Sequence, residues 1–115
     1  MTLQYLLIIS HDADFQPTES LVGDILAWIE DTTARGKRIA GKPLQTADTA
    51  QTVRIRDGKV EIVDGPFSDA AEQMCAFELV DCRDQDEALE LARRHPMAKA
   101  ATIEVRPVWM ERATA

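Results

Sequence analysis

The pair Asp57-Gly58 lies between two runs of alternating apolar and polar residues, Thr52 to Arg56 and Lys59 to Val63. Asp-Gly is favoured in two-residue type I′ turns, whose twist matches that of the flanking strands, so this stretch is expected to form a tight antiparallel hairpin. A turn of set length also sets the register. Ile55 then faces Val60 and Val53 faces Ile62 on one side, while Arg54 faces Glu61 on the other, which predicts one core face and one polar face.

The rest of the chain must supply the layers around this ribbon. Leu3 to Ile9 is a dense run of apolar and β-prone residues and reads as a central strand buried on both faces. From Thr18 to Arg35, apolar residues at 21, 22, 25, 28, 29 and 32 follow helical spacing, with Glu19 in the first turn and Gly36 past the end. Gly23 inside that helix implies either close packing or weak early turns. Arg38-Ile39-Ala40-Gly41 predicts a short strand near a sheet edge, halted by Pro43, which cannot donate to a ladder. Ser68 is expected to cap a short helical turn through Gln73, and Ala76 to Val80 to form a further strand. Asp84 and Glu87 form a capping box for a helix carrying Ala88, Leu91 and Ala92 and ended by His95-Pro96. Thr102 to Val108 alternates Ile103 and Val105 with Glu104 and Arg106, as a last strand does.

The order is strand, helix, strand, hairpin, strand, helix, strand. It predicts an α+β chain with a ferredoxin-like split βαβ pattern, an inserted β-hairpin, and both helices on one face of the sheet. The 115 residues suit one domain over 1–115, too short to hold a spare element for the other face. Pairing of two copies across that face, a homodimer, is the economical cover.

Composition excludes several classes. The net charge of -7 argues against direct nucleic-acid binding, which needs a basic surface. The longest apolar run, Tyr5-Leu6-Leu7-Ile8-Ile9, is far short of the roughly 20 residues of a membrane span, and Met1-Thr2-Leu3 lacks the basic opening of a secretory signal. A cytoplasmic location is the expectation. Cys75 and Cys82 read as free thiols, no spacing suggests a zinc site, and neither a metal nor another cofactor is expected.

With the elements placed, the chain resembles the YCII-related superfamily, and within it the subfamily marked by an Asp-Gly-Pro-Phe motif. The resemblance is carried by Tyr5-Leu6-Leu7-Ile8, Gly41-Lys42-Pro43-Leu44-Gln45, and Thr52 to Lys59 leading into Asp64-Gly65-Pro66-Phe67. Glu72-Gln73, Asp86-Glu87-Ala88-Leu89 and Glu104-Val105-Arg106-Pro107 extend it over nearly the whole chain. It implies a ferredoxin-like fold paired into a dimeric α/β barrel, with a pocket between sheet and loops. Other superfamily members carry a His and an Asp that have suggested enzymatic work; the position of that His falls near Ile25, where no imidazole is present. A further departure is Met74-Cys75-Ala76, where relatives tend to have glycines.

Three functions are compatible with this pattern. One is a small-molecule enzyme or binding protein with its pocket at the open sheet face. Another, implied by the resemblance, is an accessory regulator associated with a sigma factor of the extracytoplasmic-function class. The third is a non-catalytic dimeric scaffold. For the first, Asp64 and His11 are the candidate catalytic groups: Asp64 follows the hairpin, and His11 ends the first strand and can titrate near neutral pH. Lys42, Arg54, Gly65 and Phe67 are the candidate ligand-binding residues, and the local cations Lys42 and Arg54 suggest a small anionic ligand. Asp64-Gly65-Pro66-Phe67 also has a purely structural explanation: Asp64 accepts from the following amides, Gly65 permits positive φ, and Pro66 sets a turn before a buried Phe67. His95 reads as a cation stabilised by a helix C-terminus, Trp28 as core, and Trp109 as a cover for a partner subunit.

Overall fold

A computed structural model describes residues 2–109. The strands are β1 (Leu3–His11), β2 (Arg38–Pro43), β3 (Gln51–Arg56), β4 (Lys59–Asp64), β5 (Gln73–Cys82) and β6 (Thr102–Pro107); the helices are α1 (Glu19–Ala34), α2 (Gln85–Arg94) and the single turn α3 (Met97–Ala100). Four strands form one sheet in the order β2-β5-β1-β6, and β3-β4 form a separate two-stranded sheet. Every pairing is antiparallel. This is the expected α+β arrangement, consistent with a ferredoxin-like fold, with β2 and β6 as edges.

The core lies between the sheet and the helices. Tyr5, Leu7 and Ile9 of β1 alternate inward, as do Val80 and Cys82 of β5, and all of these but Ile9 cluster with Trp28 of α1 and Ala88, Leu91 and Ala92 of α2. Full burial of side chains such as Leu7 and Val80 is worth about 1.5–3 kcal/mol each. The intervening residues Leu6, Ile8, Phe77 and Leu79 are only half-buried, so β1 is closed on one face rather than both. Both helices start at side-chain caps, that of α2 being the one the sequence predicts. Thr18 Oγ1 accepts from Leu21 N at 3.1 Å, and Asp84 Oδ1 accepts from Glu87 N at 2.9 Å. Glu87 returns the contact by accepting from Arg83 N at 2.9 Å.

α1 is held by its C-terminal half. Trp28 Nε1 donates to Leu91 O of α2 at 3.0 Å, and Thr32 Oγ1 is buried and donates to Trp28 O at 2.7 Å. A Cβ at Gly23 would meet nothing within 4 Å. The glycine therefore answers no packing need.

The hairpin has the predicted turn and register: Asp57 and Gly58 adopt φ of 51° and 77°, Val53 pairs with Ile62, and Ile55 pairs with Val60. Its burial differs from expectation. Val53, Ile55, Val60 and Ile62 are 63–66% exposed, because the ribbon forms its own sheet and its apolar face has no layer against it. The helical turn expected from Ser68 to Gln73 is also absent. Gln73 Nε2 donates to Ser68 O and Ala70 O and ties off an irregular loop, and β5 starts at Gln73 and runs longer than predicted. Among the described residues no helix is long and apolar enough to cross a membrane.

Candidate functional site

A cavity of about 480 Å³ lies between α1 and the β2-β5 side of the sheet. Leu21, Ile25 and Ile29 form its helical wall, and Phe15 and Leu44 lie at its mouth. The cavity is thus on the helix-covered side, not on the open sheet face. A second hollow of about 490 Å³ adjoins it and shares His11, Phe15, Leu44 and Cys75.

The polar residues in the lining include Arg38 from β2, Glu78 from β5 and His95 from the end of α2. Glu78 shares the inward face of β5 with Val80 and Cys82 and is 5% exposed. Arg38 Nε donates to Glu78 Oε1 at 2.7 Å, and Arg38 Nη2 donates to Gly41 O at 3.2 Å. Gly41 sits opposite Glu78 in the β2-β5 ladder, and a Cβ there would lie 1.9 Å from Glu78 Oε1. The missing side chain is therefore the slot that the carboxylate occupies. Burial pushes the Glu78 carboxyl above its ordinary range, opposed by the hydrogen bond and charge of Arg38.

His95 is 2% exposed. Its Nδ1 accepts from Met97 N at 3.0 Å, so in the neutral ring the proton resides on Nε2. That Nε2 has no hydrogen-bond partner, although Glu78 Oε2 is 4.0 Å away. Burial lowers the His95 pKa from 6.5 to about 4, so the imidazole is neutral near pH 7. The indole of Trp28 packs against it with ring centroids 4.6 Å apart. The expected cation at the helix end is instead a buried neutral donor, packed against Trp28 and tied to the backbone of Met97.

The sequence-derived candidates divide into three groups. His11 and Lys42 line the cavity, His11 stacked on Phe15 with centroids 4.5 Å apart. Arg54 and Phe67 flank a smaller hollow of about 190 Å³ on the hairpin. Asp64 and Gly65 close the ribbon. Asp64 is exposed and its Oδ1 accepts from Gln51 Nε2 across the strands at 3.1 Å, rather than from the amides that follow it. Gly65 does adopt the expected positive φ, 104°, and its carbonyl accepts from Thr52 Oγ1 at 2.8 Å. Phe67 is 79% exposed, not buried, since among the described residues no element packs over the loop that carries it. The structure does not bring Asp64 and His11 to one site.

Sequence reasoning passed over Arg38, Glu78 and His95, yet two signals were present. Glu78 has the same strand parity as Val80 and Cys82, which places a charge on the core side of an apolar strand. Gly41 inside a strand marks a close approach by a neighbouring group.

Fold and cavity together define a small α+β domain with antiparallel sheets and a partly polar pocket under its first helix. The chain belongs to the YCII-related domain family, whose model matches residues 3–112. It is also similar to an uncharacterised protein of Rhizobium meliloti (strain 1021), with 35% identity over 92 residues, covering 78% of this chain and 74% of that protein.

Proposed function

We propose that this YCII-related protein binds and transforms a small molecule in the cavity beneath α1, and that it works as a homodimer. The observation that carries the reading is the placing of the buried Glu78 and His95 and the half-buried Arg38 in the wall of a mostly apolar cavity, with the His95 N–H unpartnered among the described residues. Buried ion pairs seldom repay their desolvation in stability, and an unpaired buried donor is a further cost. Apolar residues would serve a scaffold better at these positions. Within the site, Glu78 is the group fitted to accept a proton from a bound molecule, and the neutral His95 N–H is the group fitted to donate a hydrogen bond.

The homodimer is supported by two unpartnered apolar surfaces. One is the open sheet face with Leu6, Ile8, Phe77 and Leu79; the other is the ribbon face with Val53, Ile55, Val60 and Ile62. A thermal-shift screen against metabolites, run beside Glu78→Gln and beside light scattering for mass, tests both parts. Stabilisation of the wild type by a compound that the variant no longer recognises is expected, at twice the chain mass. If no compound stabilises the wild type the binding reading fails; a monomeric mass at micromolar concentration ends the dimer.

A further inference from the structure

We propose that the cavity takes an uncharged, mostly apolar molecule with a carbonyl oxygen, and that this oxygen accepts from the outer N–H groups of Arg38, beside the unpartnered N–H of His95. The assignment rests on the reading of the cavity as a ligand site and adds the class of molecule it takes.

The charges around Arg38 cancel. Its guanidinium and the Glu78 carboxylate face each other at 2.7 Å, one positive and one negative. Burial keeps the His95 ring neutral near pH 7. Lys42 adds no charge inside. It pairs with Phe77 in the β2-β5 ladder, one residue on from Gly41, whose missing side chain makes the inward slot for Glu78, so the Lys42 ammonium leaves on the opposite face of the sheet. A charged head group of either sign placed beside Arg38 would lose its water without gaining a free counter-charge. An uncharged one has only its hydrogen bonds to replace.

Donors, by contrast, are left over. Arg38 gives Nε to Glu78 and Nη2 to Gly41 O, and its Nη1 makes no hydrogen bond among the described residues. The Arg38 side chain keeps 19% of its surface open, so these N–H groups are within reach of an entering molecule. His95 Nε2 adds a second donor without a partner on the same wall. A carbonyl oxygen is a strong acceptor that brings no proton of its own to be matched. The rest of the molecule meets Leu21, Ile25, Ile29 and Phe15, whose side chains offer no hydrogen-bonding group, in a volume of about 480 Å³ that suits a small molecule.

The test uses 4-phenyl-2-butanone and 3-phenylpropionate, which are nearly equal in shape and differ in charge. Titration calorimetry on the intact protein is expected to show the ketone binding about tenfold more tightly than the acid. Glu78→Gln loosens the hold on the guanidinium and leaves its charge uncompensated, so this variant is expected to lose the ketone and to bind the acid more tightly than the wild type does. The ¹³C carbonyl resonance of the bound ketone should stay at or downfield of its position in water, as that of a hydrogen-bonded carbonyl does. In Arg38→Met/Glu78→Leu, which strands no charge, ketone affinity should fall about tenfold and the resonance should move upfield. Acid bound as tightly as ketone by the wild type, no gain of acid by Glu78→Gln, or an upfield resonance in the wild type overturns the assignment and leaves the cavity reading standing. If neither probe binds, the compound of the wider screen whose effect is lost in Ile25→Trp, which fills the cavity, decides the matter: an uncharged carbonyl compound upholds the assignment, and an ion or a molecule without an acceptor oxygen overturns it. If Ile25→Trp alters the response to no compound, both readings fall together.

Discussion

Replacing Glu78 by Leu removes one partner of a buried pair and leaves the Arg38 guanidinium facing an apolar wall. Glu78 is 5% exposed, and its carboxylate lies 2.7 Å from Arg38 Nε. Breaking a pair of this kind costs about 3–5 kcal/mol. The Arg38 side chain retains 19% of its exposure and can turn partly toward water, which places the expected loss at the lower end, about 3 kcal/mol. For a domain of this size that corresponds to a fall in Tm of ~12 °C. The double variant Arg38→Met/Glu78→Leu has no stranded charge and is expected within about 1 kcal/mol of the wild type, or above it. Urea denaturation of the four proteins of the cycle, with unchanged m-values, measures the coupling directly. A Glu78→Leu loss below about 0.5 kcal/mol, or a double variant as unstable as the sum of the singles, would refute the claim that these charges stabilise only each other and are kept for the cavity.

Gly41→Ala should displace the Glu78 carboxylate and cost about 1–3 kcal/mol, yet be almost silent when Glu78 is already Ala; denaturation of both backgrounds decides it, and equal losses would mean the clash lies elsewhere. The His95 ring should show no titration in an NMR pH series above about pH 5, because burial holds its pKa near 4. Its folded pKa is depressed, so as pH falls from 6.5 toward 4 the unfolded chain takes a proton that the folded chain refuses. Stability then drops by up to about 3 kcal/mol, partly offset by Glu78, whose raised pKa acts in the opposite direction above 4.5. A His95 midpoint above 6 would contradict the burial. Asp64→Asn should change stability by less than about 0.5 kcal/mol, since the amide oxygen can still accept from Gln51; a loss above 1.5 kcal/mol would restore a structural role for that carboxylate.

Local chemistry was readable wherever the cause is local. Asp57-Gly58 determines its turn through two positive φ values, and Asp84 determines a helix start through its own oxygen, so these features agree with the sequence reading. Misreadings fall where distant segments decide. Phe67 and the hairpin face were expected in the core because apolar residues usually go there, but no element is placed to cover them. His95 was read from its helix end alone, whereas Pro96, α3 and Trp28, 67 positions away, determine its burial. The cavity needs α1, β2, β5 and the end of α2 together, and no single stretch of sequence contains that conjunction. His11 and Lys42 are in the cavity lining, while Asp64, favoured for its motif, lies on the ribbon.

β1 sits at the centre of the four-stranded sheet, hydrogen-bonded on one side to residues 73–82 and on the other to residues 102–107. The most apolar segment is therefore synthesised first and completed last. At ribosomal speeds of ~5–20 residues per second, the edge of β1 that β6 covers stays open for roughly 5–20 s before β6 has been made. Its pairing partners are far along the chain, so closing the sheet carries a large loop entropy and folding is expected to be slow for the size of the domain. The strand that organises the finished core is thus also the segment of the nascent chain most in need of shielding from other chains.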